Sequence, residues 1–499
     1  MLDESNRSRP RVTSLFPPAR RLGAACYRRA TSTGASMLRA MGLTLLFSAT
    51  PAFASGGDGL ASELALYWVI PFAGMLLSIA VLPMVAHHWW ENHRNQFLVS
   101  FGWSLPILGY FGWMIATDHH AEAAVHGLGH AIEEYISFIA LLGSLFVISG
   151  GILVKGDLEG KPIVNTAFLV IGALISNLIG TTGASMLLIR PMLRTNSQRE
   201  YVKHIPLFFI FLVSNIGGAL TPIGDPPLFL GYLRGVPFFW TAENLWHIWL
   251  FPIIVLTVMF FIVDTYFYRK ENKAHRAEDK SDVEPLGMEG SWNFLLLGGV
   301  IAAVLLLSPE QGVHDFRNYY AREIAMFGLA GLSMWKTSKE LREKNGFTFG
   351  PILEVAALFC GIFVTMIPAT MLLQAHGNAL GVTEPWQYFW ATGLLSSFLD
   401  NAPTYVTFAA MACGNVAECT SAEQLGALTQ GSGEPLLVAI SVGAVFMGAN
   451  SYIGNGPNFM VRAIAEENGY KMPSFFGYVG WAALVLIPVF IITTFIYLI

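Results

Sequence analysis

Cysteine is scarce in this 499-residue chain: Cys26, Cys360, Cys413 and Cys419 are the only four. So few thiols at these spacings exclude a disulfide-built fold and a cysteine metal knuckle. Charge is sparse too, with Asp, Glu, Lys and Arg at 13% of residues and no long basic tract among them. A nucleic-acid partner therefore has no electrostatic footprint. No Gly-x-x-x-x-Gly-Lys-Ser/Thr loop is present, so ATP drive has no support. Nor does a nucleophile stand with a base and an orienting group, so an enzyme has none either.

What the chain has is apolar length. Hydrophobic residues make up 54% of it, and blocks of about 20, enough to cross a bilayer, recur along most of the sequence. The composition is that of an all-α polytopic membrane protein in a lipid bilayer. The N-terminal part reads separately. Arg20, Arg21, Arg28, Arg29 and Arg39 precede a short apolar run over 40–49 and then Ala52-Phe53-Ala54, the pattern of a secretory signal peptide. Residues 1–54 are read as a leader, with Met37 as an alternative translation start. An uncleaved first membrane helix is the competing reading, and the run is short for a span.

Two stretches repeat one pattern: Gly218-Ala-Leu-Thr-Pro-Ile-Gly-Asp-Pro-Pro-Leu-Phe229 and Gly448-Ala-Asn-Ser-Tyr-Ile-Gly-Asn-Gly-Pro-Asn-Phe459. Each interrupts an apolar run with helix-breaking and polar residues. Such backbone at membrane depth is tolerated only where it is buried or lines a cavity, and matching breaks in two halves mark a transporter's binding site. A second pair is Gly172, Leu174, Ser176 and Leu178 against Gly393, Leu395, Ser397 and Leu399.

Lys and Arg set the expected orientation. Lys155, Lys161, Arg190, Arg194, Arg199 and Lys203 all fall on the cytoplasmic side only if 164–189 enters and leaves by one face, as a re-entrant hairpin. A second hairpin, over 388–412, is expected to open outward. Arg234, Arg317 and Arg322 are exceptions outside. The expected architecture is two inverted-topology repeats, 55–267 and 291–499, each with a re-entrant hairpin and a discontinuous transmembrane helix. Residues 268–290 join them as a mobile cytoplasmic linker. The location expected is a bacterial inner membrane, with the mature N-terminus and the C-terminus periplasmic.

Four polar elements then converge: two hairpin tips and two breaks. The first tip offers Asn177, Thr181 and Thr182, and the first break Ser214, Asn215, Thr221, Gly224 and Asp225. The second tip offers Asp400, Asn401 and Thr404, and the second break Asn450, Ser451 and Asn455. Freed carbonyls and short oxygen-bearing side chains suit a hard cation such as Na⁺, while half-helix N-termini suit an anion. Asp400, Asn401 and Asn215 are the candidate Na⁺ ligands.

Ser214-Asn-Ile-Gly-Gly-Ala-Leu-Thr-Pro-Ile-Gly-Asp225 resembles the signature of NhaD-type sodium/proton antiporters in the ion transporter superfamily. Asp400-Asn-Ala-Pro resembles that family's second-half motif. The resemblance implies the paired hairpins and breaks over nearly the whole mature chain, and a homodimer. Two departures stand out. Ile179-Gly180 occupies the place of an Asp-Asn pair in the first hairpin, and the second break is more similar to citrate and dicarboxylate carriers.

Asp225 and Asp400 carry the functional expectation, because a charge at membrane depth costs about 2.5–3.5 kcal/mol on insertion scales and must be paired, protonated or ion-bound. A carboxyl group that holds a proton in one step and Na⁺ in the next performs exchange. The bland reading is that Asp225 caps a half-helix at Pro226 and Asp400 caps the second hairpin arm at Ala402. No Lys or Arg lies within either hairpin core or break, so repulsion favours a cation as cargo, although bound Na⁺ could reverse the sign. The leading expectation is a Na⁺/H⁺ antiporter working by alternating access, with no cofactor and Na⁺ as transported or coupling ion. The alternative is Na⁺- or H⁺-coupled uptake of citrate or a dicarboxylate. A channel would not need two hairpins of opposite orientation.

Three further features remain. The acidic, histidine-rich turn Asp118-His119-His120-Ala-Glu122 runs on through His126, His130, Glu133 and Glu134. His126 and His130 share a helical face, and together with Glu133 or Glu134 they could hold a divalent metal or sense external pH, with a solvated helix start as the simpler account. Glu354 is either interfacial or part of a proton path. Cys413 and Cys419 are compatible with a disulfide or with two free thiols.

Overall fold

The computed structural model describes residues 60–272, 279, 283–307 and 316–499. The leader over 1–54 and Met37 lie outside the described residues. The first half carries Ile70–Val85 (α1), His93–Ala116 (α2), Ala121–Ser149 (α3), Pro162–Thr195 (α4), His204–Leu212 (α5), Pro226–Leu233 (α6) and Trp240–Lys270 (α7). The second carries Asn293–Leu306 (α8), Phe316–Lys336 (α9), Gly350–His376 (α10), Pro385–Ser396 (α11), Asn401–Asn415 (α12), Glu434–Met447 (α13), Gly456–Glu467 (α14) and Phe475–Tyr497 (α15). Eight described helical stretches are long and apolar enough to cross a bilayer. The chain is an all-α polytopic membrane protein.

Local chemistry sets where these helices start. Proline stands in the first turn of α1, α4, α6, α10, α11, α13 and α14, where its missing N–H costs nothing and its φ suits a helix. Glu384 and Gln387 form a reciprocal capping box at the head of α11. Asn92 caps α2 by accepting from Arg94 N, and Ser474 caps α15 by accepting from Gly477 N.

The long apolar segment α4 is a hairpin. Gly180, at φ 78° and ψ 153°, breaks the helix in a conformation open to glycine, and the two arms fold back on one another. Asn165 and Asn196 exchange amide hydrogen bonds of 2.8 and 2.7 Å across its base. Leu188 lies 3.1 Å from where a Cβ on Gly172 would stand. A straight helix would separate residues 31 apart by about 46 Å. In the second half, α11 and α12 form the matching hairpin, and Asn415 Nδ2 donates to Tyr388 OH across its base at 2.6 Å. The hairpin arms extend beyond the predicted 164–189 and 388–412, to Pro162–Thr195 and Pro385–Asn415.

Both broken helices are present. Between α5 and α6 the chain unwinds through a 3₁₀ turn, Ile216–Leu220, and between α13 and α14 through Gly448–Asn450. The repeated glycines explain the shared shape. A Cβ on Gly224 would stand 2.1 Å from Gly218 O, and one on Gly454 would stand 2.6 Å from Gly448 O. The two loops close on themselves in the same way because only glycine permits that approach.

Part of the linker departs from the expectation of mobile chain. Glu284–Glu289 (β2) pairs antiparallel with Leu153–Asp157 (β1), and Lys155 forms an ion pair with Glu289. Gly150 and Gly151 follow the end of α3 and precede β1. Extended backbone with polar alternation pairs at the surface where a lone strand would leave its N–H and C=O groups unmatched.

Candidate functional site

Asp225 is buried, and each of the other three polar elements sends a donor to its carboxylate. Thr181 of the first tip donates to Oδ1 at 2.9 Å, Asn455 of the second break donates to Oδ1 at 3.1 Å, and Asn401 of the second tip donates to Oδ2 at 2.5 Å. None of these partners is Lys or Arg. The half-helix α6 begins immediately after Asp225, yet the Asp225 side chain makes no capping bond, so the capping reading fails for this residue. Asp400 behaves differently: it is half-buried and accepts from Ala402 N at 3.1 Å as the cap of α12, and Thr404 Oγ1 donates to its carbonyl at 2.9 Å.

The surrounding residues hold these four in place. Asn455 Nδ2 also reaches Ser214 O at 3.1 Å and Asn215 Oδ1 at 3.2 Å. Asn215 donates to Ile210 O and to Asn458 Oδ1, tying the two breaks together. Asn177 donates to Gly217 O and accepts from Leu220 N, and Thr221 Oγ1 donates to Asn177 O. Gly224 O accepts from Thr181 N at 2.9 Å, which seats the first break on the first tip. Ser451 Oγ donates to Ser397 O at 2.5 Å and Asn450 Nδ2 donates to Ser397 Oγ at 2.9 Å, which seats the second break on the second tip. Thr182 makes no hydrogen bond to this set.

A cation would find oxygen here. The Oδ1 atoms of Asn401 and Asn450 are buried and accept no hydrogen bond. The unmatched amide oxygen of Asn401, whose Nδ2 donates to Asp225, suits a hard cation, which prefers oxygen ligands. Asn215, by contrast, has its amide nitrogen committed twice and its oxygen engaged by Asn455.

Several polar groups were not singled out from sequence. Asn458 donates to Gly448 O and Ser451 O inside the second break. Its place within the repeated motif was the available signal. Asp264 of α7 accepts from Arg199, His204 and Asn165 at the base of the first hairpin. Arg234 forks onto Glu134 at 2.6 and 2.8 Å beside a cavity of about 330 Å³ that includes His126, His130 and Glu423 but not Asp225. No local pattern announces these pairs, whose members are 100 residues apart in the last case. Glu134 is thus committed to Arg234, and His126 turns to Glu423 at 3.5 Å, so the expected metal set of His126, His130 and Glu133 or Glu134 does not assemble. Cys413 and Cys419 form a disulfide.

Hairpin tips and helix breaks gathered around one buried carboxylate define a membrane transporter. Residues 61–498 match the family model CitMHS_2, described as "Putative citrate transport", and the chain belongs to that family. It is a secondary transporter. A search among curated proteins gave no match.

Proposed function

We propose that this transporter exchanges Na⁺ for H⁺ at Asp225. The observation that carries the reading is the convergence of Thr181, Asn401 and Asn455 on one buried carboxylate that no basic residue neutralises. A carboxylate so placed has two ways to lose its uncompensated charge, by taking a proton or by taking a cation. The buried, unmatched Oδ1 of Asn401, the residue whose amide nitrogen donates to Asp225, supplies an acceptor that a cation at this site can use. Protonation also adds a donor to one Asp225 oxygen and removes the negative charge that its three donors face. Proton and Na⁺ thus compete for one site, which is the requirement for antiport.

The test is proton flux in proteoliposomes on addition of Na⁺, Li⁺, K⁺ or citrate. Na⁺-evoked flux that falls to the level of empty vesicles in Asp225→Asn supports the proposal. Absence of Na⁺-dependent proton movement at every pH from mildly acid to alkaline overturns it. Asp400→Asn separates charge from capping, since Asn is also a good N-cap, and is expected to weaken the apparent Na⁺ affinity without unfolding the hairpin.

A second reading is favoured by the family match. Cation-coupled uptake of citrate or another small carboxylate would use bound Na⁺ to reverse the sign of the site. Flux evoked by citrate and not by Na⁺ alone would select it.

A further inference from the structure

A cluster on the opposite side of α2 from its Asn92 cap is unused by the transport site. Glu63 sits at the end of the short helix Leu60–Glu63, whose neighbours Leu60 and Leu64 are both buried and anchor it. Its carboxylate meets two successive imidazoles: His119 Nε2 lies 2.9 Å from Oε2 and His120 Nε2 lies 3.2 Å from Oε1. The three ligand atoms all fall within 4.8 Å of one another.

The backbone explains why neighbouring histidines converge. The helix α2 ends in a Schellman turn: Asp118 takes the left-handed conformation at φ 60°, and His119 N donates to Met114 O at 3.0 Å. His120, at φ 51°, is in turn the residue that opens α3. Asp118 and His120 are the two described non-glycine residues with positive φ. Caps on either side therefore hold His119 and His120 in a two-residue bend, and Trp113 packs edge-on against the His119 ring at 5.8 Å. The imidazole rings stand 4.7 Å apart and tilted, not stacked.

We infer that Glu63, His119 and His120 form a binding site for a first-row divalent cation such as Zn²⁺. Two imidazole nitrogens and one carboxylate oxygen with a fourth position open to solvent is a donor set that Zn²⁺ accepts in tetrahedral geometry. All three side chains are partly exposed, so an ion can enter and keep a water. Bound metal would tie the segment before α1 to the α2–α3 bend. The site is separate from Asp225 and does not depend on which ion or carboxylate the transporter moves.

The experiment is Zn²⁺ titration calorimetry on the full-length protein in detergent, purified without a polyhistidine tag, alongside visible absorption of the Co²⁺-loaded form. One Zn²⁺ per chain, tetrahedral Co²⁺ bands, and affinity reduced at least about tenfold in both Glu63→Gln and His120→Asn are the expected results. Asn tolerates the left-handed backbone at 120, so that variant keeps the bend, and its thermal midpoint and Na⁺-evoked flux should match wild type. Absence of saturable Zn²⁺ binding, or binding that survives both substitutions, would overturn the inference.

Discussion

Asp225 and Asn455 occupy matching positions in the two break motifs, and in the folded chain they are bonded to each other at 3.1 Å. An acid in one repeat and an amide in the other leaves one ionisable group where two would repel. The glycines behind them are equally constrained. Gly224→Ala would put a methyl group 2.1 Å from Gly218 O, which is backbone and cannot swing away. Overpacking of this kind costs about 1–3 kcal/mol, and the expected outcome is a lower thermal unfolding midpoint in detergent together with lost transport. Gly456→Ala, which meets nothing within 4 Å, is the control and should leave both unchanged. The residue identities were legible in the motif. Their division of labour was not: Asp225 and Asp400 both precede a proline-containing helix start, and only Asp400 uses its side chain as the cap.

At the scale of elements, the hairpins and breaks were readable because each is a local interruption of an apolar run. The ion pairs that join elements were not. Arg234 follows α6, the half-helix that begins just after Asp225, and it forks onto Glu134 of the long helix α3 while also donating to Ala422 O. Both side chains are buried. Glu134→Ala would strand the guanidinium, a loss of about 3–5 kcal/mol, whereas replacing both partners by Met should recover much of it. Comparing the thermal midpoints of the single and double variants checks this. The strands β1 and β2 were both missed in the sequence, and charge in 268–290 suggested only a linker. Pairing with β1 is decided by a partner more than 100 residues away.

On the whole-molecule scale, alternating access predicts that the half-helix α6 moves against α3. The Glu134–Arg234 contact reports on that motion. A variant with Glu134→Cys and Arg234→Cys, carrying Cys26→Ala and Cys360→Ala so that the native cysteines left are those of the Cys413–Cys419 disulfide, should lose transport when joined by a short bifunctional thiol reagent. The same variant treated with a monofunctional reagent should keep more activity. Equal loss with both reagents would show that the contact is needed chemically and does not move.

The sequence by itself determined the solvent this protein folds in, the number and kind of its interruptions, and the residue types available for an ion. Hydropathy and helix breaking act over a few neighbouring residues, so they can be read along the chain. Only the tertiary structure decided which carboxylate lies at the centre. The bond from Asn401 to Asp225 spans 176 positions, and Glu63 meets His119 across 56. Contacts of that range depend on how whole helices pack, and packing leaves no periodic trace in the chain.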